Sequence, residues 1–159
     1  MRIGLGFDAH ARDGTRRLVL GGVVVPDVPG LAGHSDADVL CHSIADALLG
    51  AAALGDLGSR FPDTDEWRDA SSLTILSEAA QLLGRAAWDV VNVDATLIAE
   101  APRLAPYRDA MVNNIAAAIG IETGQVSVKA TTTDTMGFTG RGEGMAAIAV
   151  ASIERTKVP

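Results

Sequence analysis

The three histidines of the chain, His10, His34 and His42, all fall in its first 42 residues, and each stands near a carboxylate. In Asp8-Ala9-His10 an acid and an imidazole lie two residues apart, a spacing that points both to one side of an extended strand. His42 follows Asp38 by one helical turn and precedes Asp46 by another, so these three share a helix face. An Asp–His pair from a strand, joined by one His from a helix, supplies three oxygen and nitrogen ligands. The fourth tetrahedral position stays open, which is the arrangement of a catalytic zinc site. A lone histidine is more often a satisfied structural or surface residue. Three of them with carboxylates at matching offsets, and none elsewhere, favour a metal. Asp38 or Asp46 can orient the His42 ring from behind, although a solvated helix face explains either equally well.

A second group lies near the C-terminus. Lys129-Ala130-Thr131-Thr132-Thr133-Asp134 offers hydroxyl donors and a hard carboxylate oxygen suited to Mg²⁺. Taken alone, it reads as a β-branched strand end with a polar turn, and Gly137 to Gly144, with Arg141 and Glu143, as a turn with an ion pair. Cys41 adjoins His42 but is rotated by about 100° on a helix, so it faces elsewhere and suits a small buried apolar role. Gly4-x-Gly6-x-x-Ala9 matches the dinucleotide fingerprint literally. Too few residues precede it for the required strand, and no apolar helix follows, so that reading fails. The chain contains neither a phosphate-binding P-loop nor a Gly-x-Ser-x-Gly elbow.

The elements that must position these groups alternate. Residues 2–9 read as a strand, and 18–25 as a second extended stretch or hairpin stopped by Pro26 and Pro29. Gly30 to His34 is a loop. Ser35 opens a helix, with Asp38 at the capping-box position, that runs to about Leu54 and ends at Gly55. Residues 58–69 form a loop, 72–87 a helix, 92–99 a strand, and a third helix follows Pro106 and ends at Gly120. A strand over 126–133, a glycine-rich loop over 137–144 and a last strand over 145–153 complete the chain. This order predicts an α/β (α+β, two-layer) fold over 1–159 as one domain, with one mixed sheet covered by helices on one face.

The 159 residues carry 13 basic and 20 acidic side chains, a net charge of −7, which argues against a nucleic-acid partner. An anionic substrate then needs metal ions or local donors to offset the repulsion. Cys41 is the only cysteine, so no intramolecular disulfide forms, in keeping with a reducing compartment. The charged start is too short for a signal peptide, and no apolar run reaches the roughly 20 residues that span a membrane. A cytoplasmic protein without a membrane partner is expected.

Gly-Phe-Asp-Ala-His at 6–10, Ala-Gly-His-Ser-Asp-Ala-Asp at 32–38 with His42, and Ala-Leu-Gly-Asp-Leu-Gly at 53–58 go together with Phe-Pro-Asp-Thr-Asp at 61–65. Ala-Pro-Arg-Leu at 101–104 and the two C-terminal runs over 129–144 complete the set. In this order, over essentially the whole chain, the sequence resembles the 2-C-methyl-D-erythritol 2,4-cyclodiphosphate synthase family. The resemblance implies conversion of 4-diphosphocytidyl-2-C-methyl-D-erythritol 2-phosphate to the cyclic diphosphate with release of CMP, a lyase step of the non-mevalonate isoprenoid pathway. It implies zinc on Asp8, His10 and His42, and Mg²⁺ or Mn²⁺ on Asp134, where many members carry Glu. His34 and Thr132 would stabilise the transition state. Asp8, Ala9, His10, His34, Ser35, Asp56, Leu57, Gly58 and the loop Phe61, Pro62, Asp63, Thr64 and Asp65 would hold the erythritol and phosphates. Ala99, Glu100, Ala101, Pro102, Arg103, Leu104 and Ala105, with Thr131, Thr132, Thr133 and Asp134, would form the cytidine side, and Phe138 and Arg141 would complete the contacts. It further implies a homotrimer with sites between subunits and a central channel able to take an isoprenoid diphosphate. Two rivals share these residues: a zinc hydrolase that activates water, and a non-catalytic trimer that binds isoprenoid diphosphates.

Overall fold

The first strand fixes two layers by simple alternation. In the computed structural model, which describes residues 1–156, β1 spans Arg2–Leu20. Ile3, Leu5 and Phe7 project from one face and are largely exposed, whereas Gly4 and Gly6 on the other face lie against a helix. β2 (Val23–Leu31), β3 (Trp88–Ile98), β4 (Val126–Thr131) and β5 (Gly144–Arg155) complete a five-stranded sheet in the order β2-β1-β5-β3-β4. β3 and β4 pair in parallel and the other neighbours antiparallel, so the sheet is mixed, as expected.

The helices are α1 (Val39–Ala52), α2 (Leu57–Arg60), α3 (Ser72–Arg85), α4 (Arg108–Ile119) and α5 (Gly137–Gly140). α1 is buried nearly all round, against β1, β5 and β3 on one side and α3 on the other. Its seat on the sheet is shallow because Ala147, Ala149 and Ala151 of β5 and the two glycines of β1 leave room for it. Leu40, Ile44, Leu48, Leu76, Leu83, Leu97, Met111 and Ile115 are fully buried and form much of the core. Each contributes about 1.5–3 kcal/mol by leaving water.

Several boundaries differ from expectation. β1 continues well past residue 9, because Arg12 and Asp13 pair with Leu31 and Gly30 of β2. Pro26 and Pro29 do not stop β2. It is an edge strand, where a missing N–H costs no ladder bond on the open side. The first helix begins at Val39, not Ser35. Asp38 is its N-cap, its Oδ1 accepting from the N–H groups of Leu40 at 3.2 Å and Cys41 at 3.1 Å. Ala53, in the left-handed region at φ 57°, ends that helix ahead of Gly55. Single helical turns, α2 and α5, occupy stretches expected as loops, and β4 stops at Thr131.

Candidate functional site

Two glycines bring the site together. A Cβ on Gly4 would lie 2.0 Å from the carbonyl oxygen of Ala47, and one on Gly6 2.0 Å from that of Ser43. The backbone of α1 therefore rests directly on β1, and His42, one residue before Ser43, comes down beside Asp8 and His10. Asp8 Oδ2 is 2.9 Å from His10 Nε2 and 3.1 Å from His42 Nδ1, and the two ring nitrogens are 3.2 Å apart. Ligands around a tetrahedral zinc with bonds of about 2.0–2.1 Å stand about 3.3 Å from one another. One carboxylate oxygen and two imidazole nitrogens in a triangle close to that size fit such an ion. They are a group able to hold a metal, as the strand and helix spacing predicted.

The electrostatics are those of a coupled cluster. Burial opposes ionisation of Asp8, but hydrogen bonds from His10 and His42 outweigh it and hold the carboxyl well below its usual range. Burial likewise disfavours the His10 imidazolium, yet the Asp8 hydrogen bond and charge raise its pKa overall. Behind the triangle, His42 Nε2 lies 2.9 Å from Ser72 Oγ and 3.1 Å from Ser35 Oγ. Neither Asp38 nor Asp46 orients His42. Asp38 caps α1 and accepts from Gly22 N–H at 2.7 Å, and Asp46 accepts from Leu57 N–H at 3.1 Å. Cys41 is buried, and burial pushes its thiol pKa well up, in line with the apolar role.

The triangle forms part of the wall of a pocket of about 220 Å³, lined also by His34, Ser35, Leu57, Phe61 and Asp63. His34 Nε2–H donates to the Thr64 carbonyl at 2.6 Å, which fixes the orientation of its ring. Arg16 donates to the carbonyls of Gly33 and Ser35 and so clamps the segment that carries His34. Phe61 meets Trp67 edge to face at 4.9 Å. Asp56 instead caps α2 through Ser59 N–H at 2.8 Å, and Asp65 pairs with Arg68 at 2.8 Å.

The C-terminal group gathers elsewhere. Glu100 Oε1 accepts from the N–H of Thr133 at 2.9 Å and of Thr135 at 3.3 Å, and Thr132 Oγ1–H donates to Asp134 Oδ1 at 3.1 Å. A second pocket of about 170 Å³, with Leu97, Leu104, Ala105, Val128 and Ala130 in its wall, lies beside it. Arg12 of β1 ties β2 to the 99–105 segment, donating at 2.7 Å to the carbonyls of Pro29 and Ala101. Asp8 aligns with Ala147, Ala147 with Leu97, and Leu97 with Ala130. Three strand spacings therefore put Asp8 and Ala130 about 14 Å apart across the sheet. Within one chain the threonine run does not line the pocket of the metal triangle. Phe138 is exposed, and Arg141 pairs with Glu143 at 2.7 Å.

Ser72, Asp36, Arg12, Arg16 and Trp67 receive no site role from the sequence, since none stands in a local pattern with the residue it supports.

The YgbB family model matches residues 1–154. The chain is 57% identical over 156 residues to the 2-C-methyl-D-erythritol 2,4-cyclodiphosphate synthase of Syntrophomonas wolfei subsp. wolfei, covering 98% of this chain and 99% of that one. It is 58% identical over 151 residues to the synthase of Moorella thermoacetica, covering 94% and 93%. Among solved structures, the bifunctional IspDF of Campylobacter jejuni superposes with a TM-score of 0.94 at 39% identity, covering 98% of this chain and 42% of that one. The CDP complex of Plasmodium falciparum IspF gives 0.85 at 31%, covering 98% and 97%. Matched from end to end by relatives more than half identical, the chain belongs to the YgbB family, alongside the 2-C-methyl-D-erythritol 2,4-cyclodiphosphate synthases.

Proposed function

We propose that this chain converts 4-diphosphocytidyl-2-C-methyl-D-erythritol 2-phosphate to 2-C-methyl-D-erythritol 2,4-cyclodiphosphate and CMP. The observation that carries this reading is the meeting of Asp8 Oδ2, His10 Nε2 and His42 Nδ1 in the wall of a pocket shared with His34, Ser35 and Asp63. An oxygen of the substrate's 2-phosphate attacks the phosphorus next to the erythritol. The P–O bond to the cytidine phosphate breaks, and CMP leaves with the electron pair. The nucleophile is already anionic, so no activated serine or strong base is required, and ring closure draws much of its rate from holding the two ends together. Asp8, His10 and His42 would hold zinc, which when bound would supply Lewis-acid stabilisation of charge on the phosphoryl group. His34, anchored through Thr64, and the hydroxyl of Ser35 stand where they can position the phosphates.

The cytidine side is assigned to the 99–105 and 131–134 segments, and a relative solved as a CDP complex supports a cytidine nucleotide as the ligand. Asp134, with Thr132 at its carboxylate, is the ligand for Mg²⁺ or Mn²⁺. Because about 14 Å separates the two halves in one chain, each site pairs the metal half of one subunit with the threonine half of another. The exposed Ile3, Leu5 and Phe7 on β1, with Ile148 and Val150 beside them on β5, give a homotrimer an apolar surface to bury. The whole chain acts as one cytoplasmic domain. No helix among the described residues is long and apolar enough to cross a membrane.

The test is incubation of purified protein with the substrate, with CMP read by chromatography and the product by phosphorus NMR, beside metal analysis. Cyclic diphosphate, about one zinc per chain, and loss of both in His42→Ala are expected. Inorganic phosphate or an uncyclised acid would point to a hydrolase instead.

A further inference from the structure

The ring of His42 has two nitrogens with different tasks. Nδ1 faces Asp8 and His10, and Nε2 faces the Ser72 hydroxyl 2.9 Å away. A metal needs the lone pair of Nδ1, so the ring proton must reside on Nε2. Something behind the ring has to accept that proton, and a serine hydroxyl is ambiguous because it can donate or accept.

Asp36 removes the ambiguity. Its Oδ1 takes the Ser72 hydroxyl proton, and its Oδ2 accepts from Ser72 N–H at 3.0 Å. A carboxylate can only accept. With its single proton committed to Asp36, Ser72 Oγ is left as an acceptor toward His42 Nε2. Ser72 is fully buried and His42 is only 6% exposed, so water does not compete strongly for these bonds. Ser35 Oγ, at 3.1 Å from Nε2 and receiving Ala37 N–H at 3.3 Å, is a weaker second acceptor.

We propose that Asp36 and Ser72 form a positioning relay that draws the His42 proton to Nε2 against the competing pull of Asp8 on Nδ1, and thereby frees Nδ1 for the metal. The proposal rests on Asp8, His10 and His42 being metal ligands. A structural role also exists for Asp36. The N-cap residue of α3, Ser71, makes no side-chain cap bond, and Asp36 supplies one from across the fold through Ser72 N–H. The two roles make different demands. An asparagine caps a helix as well as an aspartate does. It cannot accept through both of its terminal atoms.

Asp36→Asn therefore separates them. With the amide oxygen kept on Ser72 N–H, the amide nitrogen donates to Ser72 Oγ. The Ser72 proton then turns toward His42 Nε2 and drives the ring proton to Nδ1. The experiment is zinc titration of metal-stripped wild type, Asp36→Asn and Ser72→Ala against a competing chelator, with melting of the metal-free forms alongside. Nitrogen-15 NMR of the histidine rings reads the tautomer. Asp36→Asn should melt close to wild type in the metal-free state yet bind zinc about 10–100-fold more weakly. Its metal-free His42 should carry more proton on Nδ1. Ser72→Ala should lose less affinity, because Ser35 Oγ still accepts. Wild-type affinity and an unchanged tautomer in Asp36→Asn would overturn the relay. So would an affinity loss that only follows a loss of metal-free stability in both variants. If wild type itself took up no zinc, the metal reading would fall first and the relay with it.

Discussion

The α-carbon of Gly6 lies so close beneath the carbonyl of Ser43 that a methyl group there would sit 2.0 Å from the oxygen. The obstacle is backbone, which cannot swing aside as a side chain can. Gly6→Ala must lift α1 from β1, at a cost of about 3 kcal/mol, and carry His42 away from Asp8. Urea unfolding and zinc titration both read this. A variant with the wild-type midpoint and zinc affinity would show that the contact is slack.

Opposite shifts at Asp8 and His10 give the metal-free protein a definite pH dependence. The Asp8 carboxyl is lowered, so its contribution is present above its ordinary 3.8 and is lost as pH falls toward its folded value. The pKa of His10 is raised, so its contribution is full below its ordinary 6.5 and is lost as pH rises through its folded value. Stability owed to this pair therefore peaks between those values. Zinc must displace the His10 proton, so zinc affinity should begin to fall with decreasing pH while the solution is still above 6.5. Affinity that held constant to well below that pH would place His10 outside the ligand set.

Leu5 is 67% exposed in the single chain, on the apolar face of β1. Leu5→Glu should change monomer stability by no more than about 0.5 kcal/mol but prevent the proposed trimer from forming. Sedimentation would show single chains with CMP release largely lost. A trimer that survived this charge would place the interface elsewhere.

A mixture of two inactive variants tests the shared site. His42→Ala breaks the metal half and Thr132→Ala the threonine half. In an equal random mixture about a quarter of the sites combine two sound halves. CMP release should rise toward a quarter of wild type after co-refolding. If mass spectrometry confirms mixed trimers and activity stays at the level of the separate variants, each site lies within one chain.

What could be read in advance follows from the range of the interaction involved. Asp8 and His10 were legible because the two-residue period of a strand fixes their common side whatever surrounds them. The helix of His42 is legible too, although the spacing puts its start at Ser35: both residues fit a cap, but Asp38 accepts from the Leu40 and Cys41 N–H groups while the Ser35 hydroxyl faces His42. The Asp36–Ser72 contact crosses 36 residues and leaves no local pattern. Gly4 and Gly6 were conspicuous as a failed dinucleotide fingerprint. Their actual reason, the approach of α1, depends on a helix some forty residues later. Pro26 and Pro29 misled because a strand's tolerance for proline depends on its place in the sheet, which the chain does not state locally.

The contact of α1 with β1 also bears on the order of events in the life of the protein. It is made by main chain and apolar side chains, none of which requires an ion. The three ligand atoms meanwhile hold one another through Asp8 at 2.9 and 3.1 Å. Unlike a zinc finger, whose folding free energy is its metal-binding free energy, this chain can complete its core first and acquire its ion later. Synthesis and metal supply then need not coincide. On the proposed zinc reading, a chain made during zinc scarcity would keep its fold and could take up the ion later.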